Sequence, residues 1–154
     1  LTTAGLVGHA QSLARTLAAE VSLFELRRGD SMTVRGAATL TANILSGRPH
    51  WVQLLIVGVD SEGGSVYSID SAGGSIPDSY CATGSGSPYM YGVLEDGFKE
   101  NMTRDAAVAL AARALSASAQ RDAASGNGMD LAVITAKDGY VPVEQSEIAA
   151  VLKK

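Results

Sequence analysis

Three short clusters hold the residues whose types and spacing could do chemistry. They are Ala4-Gly5-Leu6-Val7-Gly8, Gly84-Ser85-Gly86-Ser87-Pro88 and Arg121-Asp122-Ala123-Ala124-Ser125-Gly126-Asn127-Gly128. Each lies where a strand pattern meets a helix pattern. Gly84-Ser85-Gly86 ahead of a helix has one chemical reading, an anion cradle built from the free amides of a helix N-terminus. That reading is weak, because a dinucleotide fingerprint needs glycines at its first, third and sixth places and a parallel crossover unit, and a phosphate loop needs Gly-Lys-Ser or Gly-Lys-Thr. A tight turn leading to a helix cap is the plainer alternative. In the third cluster, Asp122 and Ser125 could hydrogen-bond a common partner, and the following Gly, Asn and Gly suit a loop shaped around something. A solvated helix end is the plainer reading there, and the residues alone leave both open.

Other chemistries are poorly supplied. His9 and His50 are too few for a histidine-based metal cluster, and Cys81 has no second cysteine to help them. A lone cysteine also excludes an intramolecular disulfide and makes a reducing compartment the default. Cys81 itself reads as a small buried hydrophobe in a strand. The net charge of -4 leaves no basic stripe for a nucleic acid to release counterions against. Arg27-Arg28 falls at the end of a helical pattern, where cations suit the helix C-terminus. No apolar run approaches membrane-spanning length, so neither nucleic acid nor membrane is an expected partner, and no cofactor is called for. With 46% apolar and 18% charged residues, the 154 residues are expected to form one globular domain, 1–154.

The elements that must position these clusters follow from periodicity. Leu1 to Leu6 reads as a short strand ending at Gly5. Ala10, Leu13, Ala14, Leu17, Val21 and Phe24 then recur at helical spacing, with Gly29 as the stop. Thr33 to Leu45 is a second helix with Val34, Ala38, Thr41 and Leu45 on one side, ended by Gly47 and Pro49. Trp51 to Val59 is nearly continuous in apolar residues, which predicts a central strand covered on both faces. A turn at 60–64 leads to a hairpin partner over Ser65 to Asp70. After a turn at 71–74, another short strand is expected over Ser79 to Thr83.

Pro88 to about Glu100 forms a third helix. Thr103 caps a fourth, in which Ala106, Leu110, Ala114, Ala117 and Arg121 follow and the alanine density lets neighbouring helices approach closely. Asp130 to Ala136 and Tyr140 to Val143 close a hairpin around Lys137-Asp138-Gly139. A terminal helix runs from Glu144 to Leu152. Hairpin-joined strands imply antiparallel sheets, because the turns are too short for parallel crossovers. Two stacked sheets with helices outside would bury every apolar face.

Taken together, the clusters resemble a known family. Thr3-Ala4-Gly5-Leu6-Val7-Gly8 with Ala10-Gln11-Ser12-Leu13 looks like the strand-to-first-helix region of archaeal-type proteasome beta subunits. Gly84-Ser85-Gly86-Ser87 with Tyr91-Gly92-Val93-Leu94-Glu95 resembles that family's mid-chain motif. Arg121-Asp122 with Ser125-Gly126-Asn127-Gly128 resembles its third, and Ser68-Ile69-Asp70 with Ala72-Gly73-Gly74 agrees. The likeness covers essentially the whole chain.

The resemblance implies the N-terminal-nucleophile hydrolase fold, a four-layer αββα sandwich of two antiparallel sheets flanked by helices (class α+β). It implies a threonine-type endopeptidase of the cytoplasm. Its expected partners are other beta subunits in a seven-membered ring, alpha subunits, an ATP-driven unfoldase and unfolded protein substrates. Asp122 and Ser125 match the residues that orient the nucleophile's amine, and Ser85 the hydroxyl beside it. Gly5 matches the backbone oxyanion donor, whose missing side chain also lets a substrate strand lie close. Thr3 and Val7 match the pocket beside the cleaved bond. Thr3 is more polar than usual there, so no cleavage preference follows.

The family's nucleophilic threonine, its lysine and its first aspartate have no counterparts in the chain and are expected upstream of Leu1. Thr2 is not that threonine, because its match lies inside a strand leading to the glycine. Residues 1–154 alone are therefore expected to be inactive. His9 stands where the family usually has aspartate, and is expected to touch the helix start or a neighbouring subunit. The alternative is a non-catalytic structural ring subunit or an inactive fragment. Retention of Ser85, Asp122 and Ser125 favours the enzyme.

Overall fold

The computed structural model describes residues 1–48 and 50–153, so the helix-ending role expected of Pro49 lies outside the described residues. The chain forms two compact units, Leu1–Gly84 and Ser85–Lys154.

The first unit runs β1 (Thr2–Gly5), α1 (Val7–Arg28), α2 (Val34–Gly47), β2 (Val52–Asp60), β3 (Gly63–Ile69) and β4 (Ser75–Asp78). Its strands form one antiparallel sheet in the order β1-β2-β3-β4, with Thr3 opposite Leu54, Leu55 opposite Ser68 and Tyr67 opposite Pro77. The helical stripe of α1 buries Ala10, Leu13 and Leu17. Gly29 ends the helix in the left-handed region (φ +70°), donating to the Glu25 carbonyl at 2.8 Å. Thr33 caps α2 by accepting from the Gly36 amide, and Val34, Ala38, Thr41 and Leu45 are all buried. The Asp60 carboxylate accepts from the Val34 amide at 2.8 Å, which ties the start of α2 to the end of β2.

The first unit departs from expectation in two places. β2 is central, but Val52, Leu54 and Ile56 are buried while Gln53 and Val57 are exposed, so burial alternates along it. The helices of the unit cover one face of the sheet. The strand expected over Ser79 to Thr83 lies instead at Ser75–Asp78. The turn after β3 is so tightly closed that pairing resumes at once, with Ser75 opposite Ile69. Pro77 is tolerated in β4 because it is an edge strand, where a missing amide costs no ladder bond. Cys81 accordingly lies outside any strand, half-buried, and burial together with the nearby Asp78 charge pushes its thiol pKa up.

The second unit contains α3 (Ser87–Gly97), α4 (Arg104–Arg121), β5 (Ala132–Thr135), β6 (Gly139–Pro142) and α5 (Gln145–Leu152). α3 and α4 pack as a helical hairpin. Gly97 makes the approach possible, because a Cβ there would lie 2.5 Å from Leu110 Cδ1. Thr103 caps α4 through the Ala106 amide, as expected. The buried face of α4 carries Val108, Leu110, Ala112, Ala114 and Ser118, whereas Ala106 is exposed and Ala117 only half-buried. A helix so rich in alanine has few bulky side chains to mark its inner face, so spacing alone resolves that face poorly. β5 and β6 pair antiparallel around Gly139 (φ +64°), and Val133 of β5 packs with Val108, Val143 and Ile148. The class is α+β, with two antiparallel sheets and helices packed against each.

Candidate active site

The expected site residues fall into two groups. In the second unit, Ser85, Asp122 and Ser125 come together. Ser85 stands one residue before Gly86, the N-cap of α3, and Asp122 is the C-cap of α4, where the backbone leaves the helix (φ -95°, ψ 116°) with its amide still bonded to Ser118 O. An antiparallel helical hairpin brings the start of one helix beside the end of the other, so residues 37 apart in sequence meet.

At that meeting point one carboxylate oxygen gathers two hydroxyls. Ser85 Oγ donates to Asp122 Oδ2 at 2.7 Å, and Ser125 Oγ donates to the same oxygen at 2.6 Å. The second oxygen, Oδ1, accepts from the Ala124 amide at 3.2 Å, and Ser125 N–H bonds Asp122 O at 3.1 Å, so the loop turns tightly around the carboxylate. A carboxylate at a helix C-terminus opposes the helix dipole. The donors overcome that. Ser125 most, then Ser85, hold Asp122 below the usual carboxylate range. Asp122 and Ser125 are half-buried, while Ser85 is open to solvent.

The other group lies at the β1–α1 corner of the first unit. Thr3 and Gly5 are on β1 opposite Leu54 and Val52, and Val7 is the first residue of α1; all three are exposed. Gly5 has φ +118°, and a Cβ there would stand 2.3 Å from Trp51 O, so the corner requires glycine twice over. The Leu6 amide donates to the same Trp51 carbonyl at 2.9 Å. His9, in the first turn of α1, accepts from the Trp51 amide through Nδ1 at 3.1 Å and meets the His50 ring edge-on at 5.3 Å between centroids. It therefore ties the helix start to the residue just before β2. Thr2 lies within β1, paired with Leu55.

Two participants escaped the sequence reading. Ser118, only 4% exposed, places its Oγ 3.0 Å from Ser125 Oγ. Its signal was a single hydroxyl inside an alanine face, four residues before Asp122. The turn at Gly84-Ser85-Gly86 is legible from residue types, whereas the packing of Gly86 is not. A Cβ on it would fall 1.8 Å from Ser118 Oγ and 3.0 Å from Ser125 Oγ. Among the described residues, no three of His, Cys, Asp and Glu gather closely enough to hold a metal ion, and no helix is long and apolar enough to cross a membrane.

A family model described as Proteasome subunit matches residues 1–134. A protein named Proteasome subunit beta from Thermoplasma acidophilum is 49% identical over 157 residues, an alignment covering 100% of this chain and 74% of the relative. The corresponding protein of Methanobrevibacter ruminantium is 46% identical, over 99% of this chain and 73% of its own length. That of Archaeoglobus profundus is 48% identical, over 99% and 72%. Matched by the family model over most of its length and near half identity to these relatives, the chain belongs to the proteasome subunit family, among its archaeal-type beta members.

Proposed function

We propose that this subunit of the proteasome core particle is a threonine-type endopeptidase, with Ser85, Asp122 and Ser125 orienting the amine of an N-terminal threonine. The observation that carries the reading is the double donation into Asp122 Oδ2. With the Ser85 proton committed to Asp122, the lone pairs of Ser85 Oγ remain to accept. An N–H donor is the natural complement of such a site.

A terminal amine held by those acceptors has its lone pair directed and can serve as a base. It takes the proton of the threonine hydroxyl as that oxygen bonds the peptide carbonyl carbon. The Gly5 amide stabilises the oxyanion that forms. Collapse expels the leaving amine, which takes the proton, and leaves an ester that water then hydrolyses. In this reading Thr3 and Val7 line the pocket next to the cleaved bond, and residues 1–154 work as one domain. The partners are other beta subunits in a seven-membered ring, alpha subunits, an ATP-driven unfoldase and unfolded cytoplasmic proteins.

The test is N-terminal sequencing of this subunit in core particles purified from the natural source, together with hydrolysis of a fluorogenic peptide. An N-terminal threonine and peptide hydrolysis are expected. Another N-terminus without hydrolysis would make the chain a non-catalytic ring subunit. Residues 1–154 expressed alone are expected to hydrolyse nothing, since Thr2 is held in β1.

A further inference from the structure

Two polar side chains are buried among the described residues, Thr41 on α2 and Ser118 on α4. Thr41 Oγ1 donates to Ala37 O at 2.8 Å, the usual outlet for a helical hydroxyl, which returns its proton to the helix's own backbone. Ser118 differs. Its Oγ meets Ser125 Oγ at 3.0 Å, and the direction of that bond follows from counting protons. A serine hydroxyl has one proton to give. Ser125 gives its own to Asp122 Oδ2 at 2.6 Å. Ser118 must therefore be the donor and Ser125 Oγ the acceptor. The result is a directed relay from Ser118 to Ser125 to Asp122, met from the other side by Ser85.

Gly86 guards the same contact. Its φ of -82° suits any residue, so conformation does not call for glycine there. Space does. A side chain at 86 would occupy the position of Ser118 Oγ, 1.8 Å away, and press on Ser125 Oγ. The absence of a side chain at 86 and the hydroxyl at 118 are two halves of one fit.

We propose that Ser118 is a positioning residue for the active site. Donating from the buried face of α4, it holds the Ser125 hydroxyl in the rotamer that donates to Asp122, and Gly86 keeps the space it needs. A donor to Ser125 Oγ also polarises that hydroxyl, strengthening its bond to the carboxylate. The role rests on the proposed peptidase reaction, since what Ser118 positions is the amine-orienting group.

The test uses core particles assembled from the full-length subunit with its alpha partners. Ser118→Ala removes one oxygen and adds nothing. It is expected to lower kcat for a fluorogenic peptide about 3- to 10-fold, the scale of one hydrogen bond, with KM unchanged. Gly86→Ala is expected to lower kcat as well, by displacing the Ser118 hydroxyl. In the Ser118→Ala background the same change should cost clearly less, because the oxygen it collides with is gone. Wild-type kcat in Ser118→Ala, or additive losses in the double variant, would overturn the proposal. So would failure of Ser118→Ala particles to assemble, which would make the hydroxyl a folding element. An Asp122→Asn arm separates the two readings. If it leaves hydrolysis intact, the amine-orienting role of Asp122 on which the proposal rests fails, and if it abolishes hydrolysis while Ser118→Ala keeps wild-type kcat, only the positioning role fails.

Discussion

Asp70 in the first unit and Asp122 in the second both sit at turns with carboxylates held below the usual range, yet different groups hold them. Asp70 Oδ1 accepts from the Ala72 and Gly74 amides, each at 2.8 Å, and these backbone donors are the main cause of its low pKa. Every partner lies within four residues, so the carboxylate closes its own turn and delivers β4 to β3. Asp122 is held chiefly by the hydroxyls of Ser125 and Ser85, the second 37 residues away. A depressed carboxylate is thus no mark of a site in itself. The mark is the donor: backbone amides of the same turn build structure, whereas side chains gathered from separate elements build a surface that something else can meet.

The largest effect expected from this contrast is on activity. Asp122→Asn in assembled particles should lower peptide hydrolysis about 100-fold or more, while Asp70→Asn should leave kcat unchanged. Steady-state kinetics on the two variants checks it, and equal losses would erase the distinction. Stability should move the other way. Asp70→Asn weakens a turn closed by two backbone donors and should lower the melting midpoint by about 2–4 °C, read by calorimetry, with a smaller shift for Asp122→Asn.

The pH dependence sharpens the comparison further. Because folding depresses the Asp70 pKa, its contribution to stability is fully present above the unfolded value of about 3.9 and is lost as pH falls through the lower folded value. Asp70→Asn should flatten the acid side of a stability-against-pH curve. For Asp122, Ser125→Ala removes the largest lowering cause, so any acid limb of activity due to this carboxylate should move to higher pH.

The smallest effect belongs to a third kind of carboxylate. Glu147 is lowered mainly by its hydrogen bonds to Arg104, an exposed pair that joins α4 to α5, with Nη2 to Oε2 at 3.1 Å. Exposed pairs contribute little and are screened by salt. Glu147→Gln should shift the melting midpoint by about a degree or less, and the shift should vanish in high salt.

Much of this was legible without coordinates, and for one reason. The α2 stripe, the Thr33 and Thr103 caps, the Gly29 stop and the turn at 71–74 depend on residues within a turn or two of each other. Ser85, Asp122 and Ser125 could be named from a family likeness, which carries knowledge of distant contacts that spacing does not contain.

What local pattern misjudged were features that depend on neighbours. The strand expected over Ser79 to Thr83 forms instead at Ser75–Asp78, where β4 pairs with β3 at the sheet edge. Ser118 and Gly86 are the clearest case. In sequence they are one serine among several and one glycine of 17. Only the packing of α3 against α4 sets the hydroxyl of one into the space left by the other. The sequence by itself determined the elements and the chemistry available at their ends. The tertiary structure decided which ends meet, because a hydrogen bond is made by proximity, and proximity across 37 residues is set by packing.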